Sequence, residues 1–395
     1  MQIADHVQWD RELPVRYLLV HWDEDGEEEL VGRCAGVEGL FVAPAPLPRE
    51  VLTLRGCTPD GPLSDVVSGP GVWPRSLGDV RVEIWDDEHR YQDAVQWWTL
   101  VDATVVFHQP HPADPARCDI VLGAGVRHDE SFSELPARPR FELFAGATAT
   151  APSAGRCSAV EGLFEPRADP APTPMELIGC EPAEPLLAAL RRPQRWKKNW
   201  ADLLVLDRHG AVMASHTVRL ALAGAHPSLL GGALVDITLA DGGAGRPLPA
   251  VRPVWEQWYQ GPPTEPNLWA PYDAAGRAEW LTLTARGWRG HTSPPDRSGG
   301  DHHLDGRFVT DVPGLHCAMA EALLGPGQYF GHGWDAFKDC LCGGYGVVPP
   351  FTLTWHDSDI ARRALAEDVY PETGLSYFEE IVQLLRQRGA TVVLR

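Results

Sequence analysis

Two ten-residue stretches, GRCAGVEGLF at 32–41 and GRCSAVEGLF at 155–164, repeat at an offset of 123 residues. The same offset carries Gly56-Cys57 onto Gly179-Cys180, Pro59 onto Pro182 and Pro62-Leu63 onto Pro185-Leu186. Further along, His111-Pro112 answers His226-Pro227 and DIVLGAG (119–125) answers DITLADG (236–242), with slightly shorter offsets. Ordered anchors with a slowly drifting offset are the mark of a duplicated unit with loop deletions. The sequence therefore reads as a short extension over residues 1–13 and two homologous modules, 14–126 and 138–243. Both alternate short apolar runs with turn residues, as at Arg16–His21, Val80–Trp85 and Trp97–Phe107 in the first and Phe141–Phe144, Leu203–Leu206 and Thr217–Ala223 in the second. Few stretches show a 3.6-residue period, so mostly-β modules are expected. A short helix follows Pro185.

The repeated residues carry two readings. Glu38 and Glu161 occupy the same V-E-G-L-F block and are expected to meet Arg33 or Arg156 as strand or turn carboxylates. Cys34, Cys57, Cys157 and Cys180 give two thiols per module. That is half a zinc site, with no CxxC spacing or histidine pair to complete it in both copies. Buried core thiols are favoured over a disulfide or a metal site. Eight cysteines in 395 residues are too few for a disulfide scaffold, and the first residues lack a basic segment followed by an apolar one. Reduced thiols and a cytoplasmic location are the expectation. No cofactor or metal is expected.

The formal charge is −20, which makes the chain a poor nucleic-acid binder and a better match for a basic protein. Residues 1–130 hold 24 acidic and 10 basic residues, 131–300 hold 17 of each, and 301–395 hold 13 and 7. The densest acidic run, Asp23–Glu29, lies between apolar stretches and reads as a hairpin loop. No run of 18 apolar residues occurs, so no membrane span is expected.

Residues 244–300 are rich in Pro, Gly and Trp and read as a connector. A hairpin around Asp273–Gly276, ending in Trp280–Thr284, is expected to pack against a neighbouring module, because Trp255, Trp258, Trp269, Trp280 and Trp288 are too much apolar surface to leave in water. Ser293–Gly300 reads as a linker.

From Asp301 the pattern changes to strands alternating with helices. Helical spacing is seen over Pro313–Leu324, Gly331–Cys342, Ser358–Glu367 and Ser376–Arg388, and apolar strands at His303–Val309, Pro350–Trp355 and Ala390–Leu394. Apolar strands with helical crossovers imply a small α/β domain on a three-stranded parallel sheet. Its centre reads Gln328-Tyr329-Phe330-Gly331-His332-Gly333-Trp334-Asp335-Ala336-Phe337-Lys338-Asp339-Cys340-Leu341. This resembles Y-[YF]-G-x-N-x-D-A-[LF]-x-D-C-L of the barstar family of ribonuclease inhibitors, over about 95 of 395 residues. The overall expectation is a multidomain chain: two duplicated mostly-β modules, then a barstar-like α/β domain.

The resemblance implies a non-enzymatic inhibitor, or immunity protein, that plugs the active site of a small basic ribonuclease. Its contact residues would be Tyr329, Phe330, Gly331, Gly333, Trp334, Asp335, Lys338 and Asp339. Asp335 and Asp339, four apart, share one helix face and offer negative charge where such an enzyme binds phosphates. Three positions depart from the family. Gly333 stands for Asn before the helix, Lys338 for an aromatic between the aspartates, and Leu384 for an acid on the last helix. Glu380, one turn earlier, is the candidate substitute for that acid. No GxGxxG, P-loop, GxSxG or HExxH occurs, and His302-His303-x-Asp305 reads as a polar strand start. The competing reading is a scaffold whose β modules bind the partner and whose C-terminal fold is a remnant.

Overall fold

A computed structural model describes residues 13–22, 28–70, 72–86, 96–131, 138–146, 151–167, 171–191, 200–243, 245–288, 295–369 and 373–395. The chain divides into two compact units. One holds the described residues up to Pro44 with Ala171–Glu367 and Leu375–Arg395, and the other holds Ala45–Pro170 with Asp368–Gly374.

In the first unit a seven-stranded antiparallel sheet runs in the order Val212–Arg219, Trp200–Leu206, Tyr17–Trp22, Glu28–Glu38, Met175–Pro182, Val235–Leu239, Leu222–Pro227. In the second unit the order is Asp114–Ser131, Gln96–His111, Arg75–Asp86, Pro139–Ala145, Ser153–Cys157, Arg49–Pro59. Asp114–Ser131 also pairs with Arg49–Pro59, so this sheet closes into a barrel. Ala159–Glu161 continues the Ser153–Cys157 strand along Arg49–Pro59 past a break at Ser158.

The two sheets share one plan with an exchange. The hairpin Tyr17–Glu38 of the first repeat pairs with strands of the second repeat, and Pro139–Glu161 of the second repeat pairs with strands of the first. The registers correspond. Glu38 stands opposite Glu176 and Val37 opposite Leu177 in one sheet; Glu161 stands opposite Thr53 and Val160 opposite Leu54 in the other. The helices Gly61–Ser68 and Glu184–Arg191 also lie 123 residues apart. Residues 14–126 and 138–243 are therefore repeats in sequence that do not each close on themselves. Equivalent hairpins present equivalent edges, so swapping them preserves every local pairing. Alternate residues of the strands fill the interior, with Leu52, Leu54, Val82, Ile84, Leu100, Ile120 and Leu122 all fully buried in the barrel.

The repeated anchors converge. Gly56 and Gly179 both take positive φ, 56° and 57°. Their N–H groups donate to Asp119 (2.9 Å) and Asp236 (2.7 Å), the first residues of the repeated DI-x-L segments. His111 Nδ1 lies 2.8 Å from Asp119, and His226 Nδ1 lies 4.0 Å from Asp236. The Gly56 N–H, with Arg55 and His111, holds the Asp119 carboxyl down at about 2. Glu161 pairs with Arg55 at 2.8 Å, not with Arg156, and Arg33 reaches Glu181 at 3.5 Å. The hairpin expected around the acidic run is present, with Trp22 opposite Glu28; residues 23–27 lie outside the described residues.

The expectation of reduced repeat thiols fails at one pair. Cys57 and Cys157 face each other across the exchanged strand and form a disulfide. Their equivalents Cys34 and Cys180, also directly opposite, are free and fully buried. The partner of each thiol comes from the other repeat, which spacing within one repeat does not reveal. Protein unfolded without reductant should titrate six thiols, and all eight only after reduction. Eight without reductant would exclude the bond.

Where a hairpin is expected around Asp273–Gly276, the connector is helical. Arg252–Tyr259 and Ala274–Trp288 are helices. Asp273 accepts from the Gly276 N–H at 2.8 Å, so Asp-Ala-Ala-Gly is a helix start and not a turn. Arg277, Trp280, Leu281 and Thr284 form its buried stripe. Trp255, Trp258, Trp269 and Trp280 are buried; Trp258 and Trp280 meet edge to face at 5.4 Å, and Trp255 meets Phe41, three residues past the end of strand Glu28–Glu38. The Arg277 guanidinium ties this helix to the next domain through Asp311 (2.6 Å) and Thr310, and donates to the Ala270 carbonyl within the connector. Part of the expected linker, 295–300, is docked: Asp296 accepts from the N–H groups of Gly344, Tyr345 and Gly346.

The C-terminal domain is a three-stranded parallel sheet, Asp301–Asp305, Thr352–His356, Thr391–Leu394, in that order. Val312–Leu324 and Trp334–Cys340 cross between the first two strands, and Ser358–Ala364 and Tyr377–Gln387 between the last two. A Ser376–Glu379 capping box starts the last helix. Among the described residues no helix is long and apolar enough to cross a membrane.

Candidate functional site

Helix Trp334–Cys340 is short and held from below. Phe337 and Cys340 point into the core, one turn apart. Phe337 meets Phe330 at 5.8 Å and His316 at 5.7 Å, both edge to face. Burial pushes the Cys340 thiol up to about 12, so it is a packing group and not a nucleophile. The chain enters through Gly331 at φ 81°. A Cβ there would lie 2.5 Å from the Phe337 nitrogen and 2.6 Å from its Cα. Gly333 is extended, with φ −177°, and its carbonyl accepts from the Phe337 N–H at 2.9 Å. A Cβ at Gly333 would meet nothing within 4 Å.

These two glycines give a paired expectation. Gly331→Ala should destabilise the C-terminal domain by about 2–4 kcal/mol, from a disfavoured φ and a backbone collision together. Gly333→Ala should cost under about 1 kcal/mol. Hydrogen exchange of the 330–341 backbone in the full chain measures both; equal losses would mean the Gly331 contact does not anchor the helix.

With one face fixed, the other is fixed too. Asp335, Lys338 and Asp339 are exposed. Asp335 occupies the first helical turn, where the helix end favours negative charge. Asp335 and Asp339 are one turn apart, so their Cβ atoms lie about 6 Å from each other. Lys338 adds a cation beside them. Aromatic rings flank the helix: half-buried Trp334 stands edge-on to Tyr377 at 6.1 Å. Tyr329 Oη lies 3.1 Å from His332 Nδ1, and its ring centroid lies 6.0 Å from that of Tyr345.

The structure brings Tyr329, Trp334, Asp335, Lys338 and Asp339 to one end of the domain. Phe330 and Gly331 are buried supports beneath them. Glu380 presents no exposed carboxylate to a partner. It is 8 % exposed, and Leu384 is 7 % exposed, on a helix whose buried stripe also takes in Ile381 and Leu385. Neither position offers an exposed acid, and an acid at Leu384 would enter the core. Sequence reasoning missed His332, Tyr345 and Tyr377 as neighbours of the helix, since they come from loops and a helix with no motif of their own. His303 and His356 stack at 5.3 Å on adjacent strands, and His302 Nδ1 lies 3.1 Å from the Ala322 carbonyl. Among the described residues no three His, Cys, Asp or Glu side chains are grouped as a metal site.

Residues 301–395 match the family model described as Barstar (barnase inhibitor). No curated protein matches the chain.

Proposed function

We propose that the C-terminal domain inhibits a small basic ribonuclease by seating the exposed face of Trp334–Cys340 in its active site. The observation that carries this is the outward pair Asp335 and Asp339 on a helix clamped by Phe337 and Gly331, inside a domain that matches the barstar family. Two carboxylates one turn apart approximate successive phosphates of an RNA, and aromatic rings beside them supply apolar contact. The domain acts by occupation and does no chemistry of its own. Lys338 sets this face apart from a purely acidic one and tunes which nuclease fits. The net charge of −20 steers a cationic partner inward.

Titration of the full chain into a barnase-type ribonuclease should abolish RNA cleavage at an equimolar ratio. The association rate should fall at least tenfold between about 0.01 and 0.5 M salt, as screening shortens the reach of the field. Full RNA cleavage at micromolar excess of the chain would overturn the proposal.

A further inference from the structure

The second unit contains a cavity of about 480 Å³ that the inhibitory face does not use. Gly56, Thr58, Pro139, Cys157 and Ser158 line it together with three arginines, Arg117, Arg140 and Arg156. Among the described residues no carboxylate belongs to the lining, and Glu142, on the same strand as Arg140, stands opposite Arg156 and is held by Arg140. Arg117 reaches Asp114 at 3.3 Å and Arg140 reaches Glu142 at 3.2 Å, both part-exposed pairs that leave guanidinium donors for a ligand. Three cations converge here in a chain of net −20.

The exchanged repeat supplies an internal control. Cys57 stands opposite Cys118, and Cys180 opposite Val235, so Arg117 corresponds to Leu234. The offset of 123 makes Thr58 correspond to Glu181, Arg156 to Arg33 and Ser158 to Ala35. Phe141 pairs with Cys157 as Tyr17 pairs with Cys34, which places Arg16 where Arg140 stands. On that other sheet one of the three arginines is replaced by Leu234, and a carboxylate, Glu181, stands where Thr58 does. There Arg33 is paired with Glu181, and the Arg16 guanidinium lies 4.3 Å over the Tyr259 ring. The same frame thus carries one arginine more, Arg117 for Leu234, and one carboxylate less, Thr58 for Glu181, in the second unit's sheet.

We propose that the cavity binds a small polyanion through Arg117, Arg140 and Arg156. Guanidinium forks match both phosphate and carboxylate oxygens, and 480 Å³ admits a ligand with more than one such group. The Ser158 hydroxyl donates to the Arg55 carbonyl at 2.8 Å, so the site holds its ligand and performs no nucleophilic step on it.

The test is calorimetric titration of the full chain, in about 0.15 M chloride, with inorganic pyrophosphate and separately with citrate. Saturable binding of pyrophosphate alone assigns phosphate chemistry, of citrate alone carboxylate chemistry, and of both a general oxyanion site. Arg156→Ala should weaken binding at least tenfold. Thr58→Glu, which installs the residue found at the equivalent place in the other sheet, should abolish it while leaving the circular dichroism unchanged. Arg33→Ala should leave it unaltered. No saturable heat with either anion, or an equal loss in Arg33→Ala and Arg156→Ala, would overturn the proposal. None of these outcomes depends on ribonuclease inhibition.

Discussion

Asp339→Ala should weaken the affinity of the full chain for a small basic ribonuclease by about 2–5 kcal/mol, or roughly 30- to 5,000-fold. The carboxylate is exposed in the free protein, so its removal barely affects the fold. In the complex it must give up its water, and only a charged hydrogen bond from the nuclease offsets that loss. Deleting it leaves the opposing cation desolvated and unpaired, and this penalty makes up much of the effect. Asp335→Ala should act in the same direction with a smaller loss. Asp335 sits in the first turn, where the helix end already stabilises it in the free state by about 0.3–1 kcal/mol, and docking must compete with that. Lys338→Ala should tighten binding modestly, by removing a cation that faces a basic partner. Calorimetric titration of each variant against the same nuclease decides the matter. If both aspartate variants bind as tightly as the parent, the acidic face is not the inhibitory surface and the likeness to barstar is one of fold alone.

How far the sequence discloses this arrangement depends on whether each signal is local. The C-terminal domain is legible because each element announces itself: Leu315, Met319 and Leu323 at helical spacing, PFTLTW as a buried strand, Ser376 and Glu379 as a cap. The outward direction of Asp335 and Asp339 follows from the inward direction of Phe337 and Cys340. The fate of Glu380 does not, since its burial is set by elements packed against the last helix and not by its own spacing. The duplication is legible as repeated anchors, but a repeat states only which strands are equivalent. It does not say which copy of a hairpin they pair with, because both pairings present the same edges and the same register. The disulfide between Cys57 and Cys157 is hidden for the same reason, as is the contrast between Thr58 with Arg117 and Glu181 with Leu234. The connector misleads in another way. Asp273-Ala-Ala-Gly276 satisfies a turn and a helix start equally well, and the buried stripe that would settle it includes Arg277, a residue whose burial is possible only because Asp311 and Thr310 wait for it.

Helix Trp334–Cys340 should loosen in acid through a histidine beneath it. His316 is 1 % exposed, its Nε2 lies 2.7 Å from the Tyr377 hydroxyl, and its ring stands edge-on to Phe337 and Tyr377. Burial, helped by the nearby His332, pushes its pKa down to about 3, against about 6.5 for an unhindered imidazole. Between these values the unfolded chain takes a proton that the folded one refuses. Stability contributed by the neutral ring is therefore complete above about pH 6.5 and is lost as the pH falls toward 3, at up to about 1.4 kcal/mol per unit. Other groups contribute as well. Asp305, held down by Arg307, and Glu379, held down by the Ser376 N–H, lose their contributions as carboxylates protonate, while Glu321, raised by burial, acts in the opposite sense. The comparison with a His316 variant, and not the pH window alone, therefore isolates the histidine. Hydrogen-exchange protection of residues 312–324 and 334–340 in the full chain, corrected for the intrinsic pH dependence of exchange, should fall steeply between about pH 6.5 and 5. His316→Phe leaves the Tyr377 hydroxyl without that partner, so its absolute stability is lower, but its protection should be nearly flat over the same interval. The slope, not the level, is the readout. Parallel slopes for parent and variant would show that His316 does not couple acid to this helix. A flat profile for the variant beside a falling one for the parent would tie the loosening of Phe337 in acid to His316.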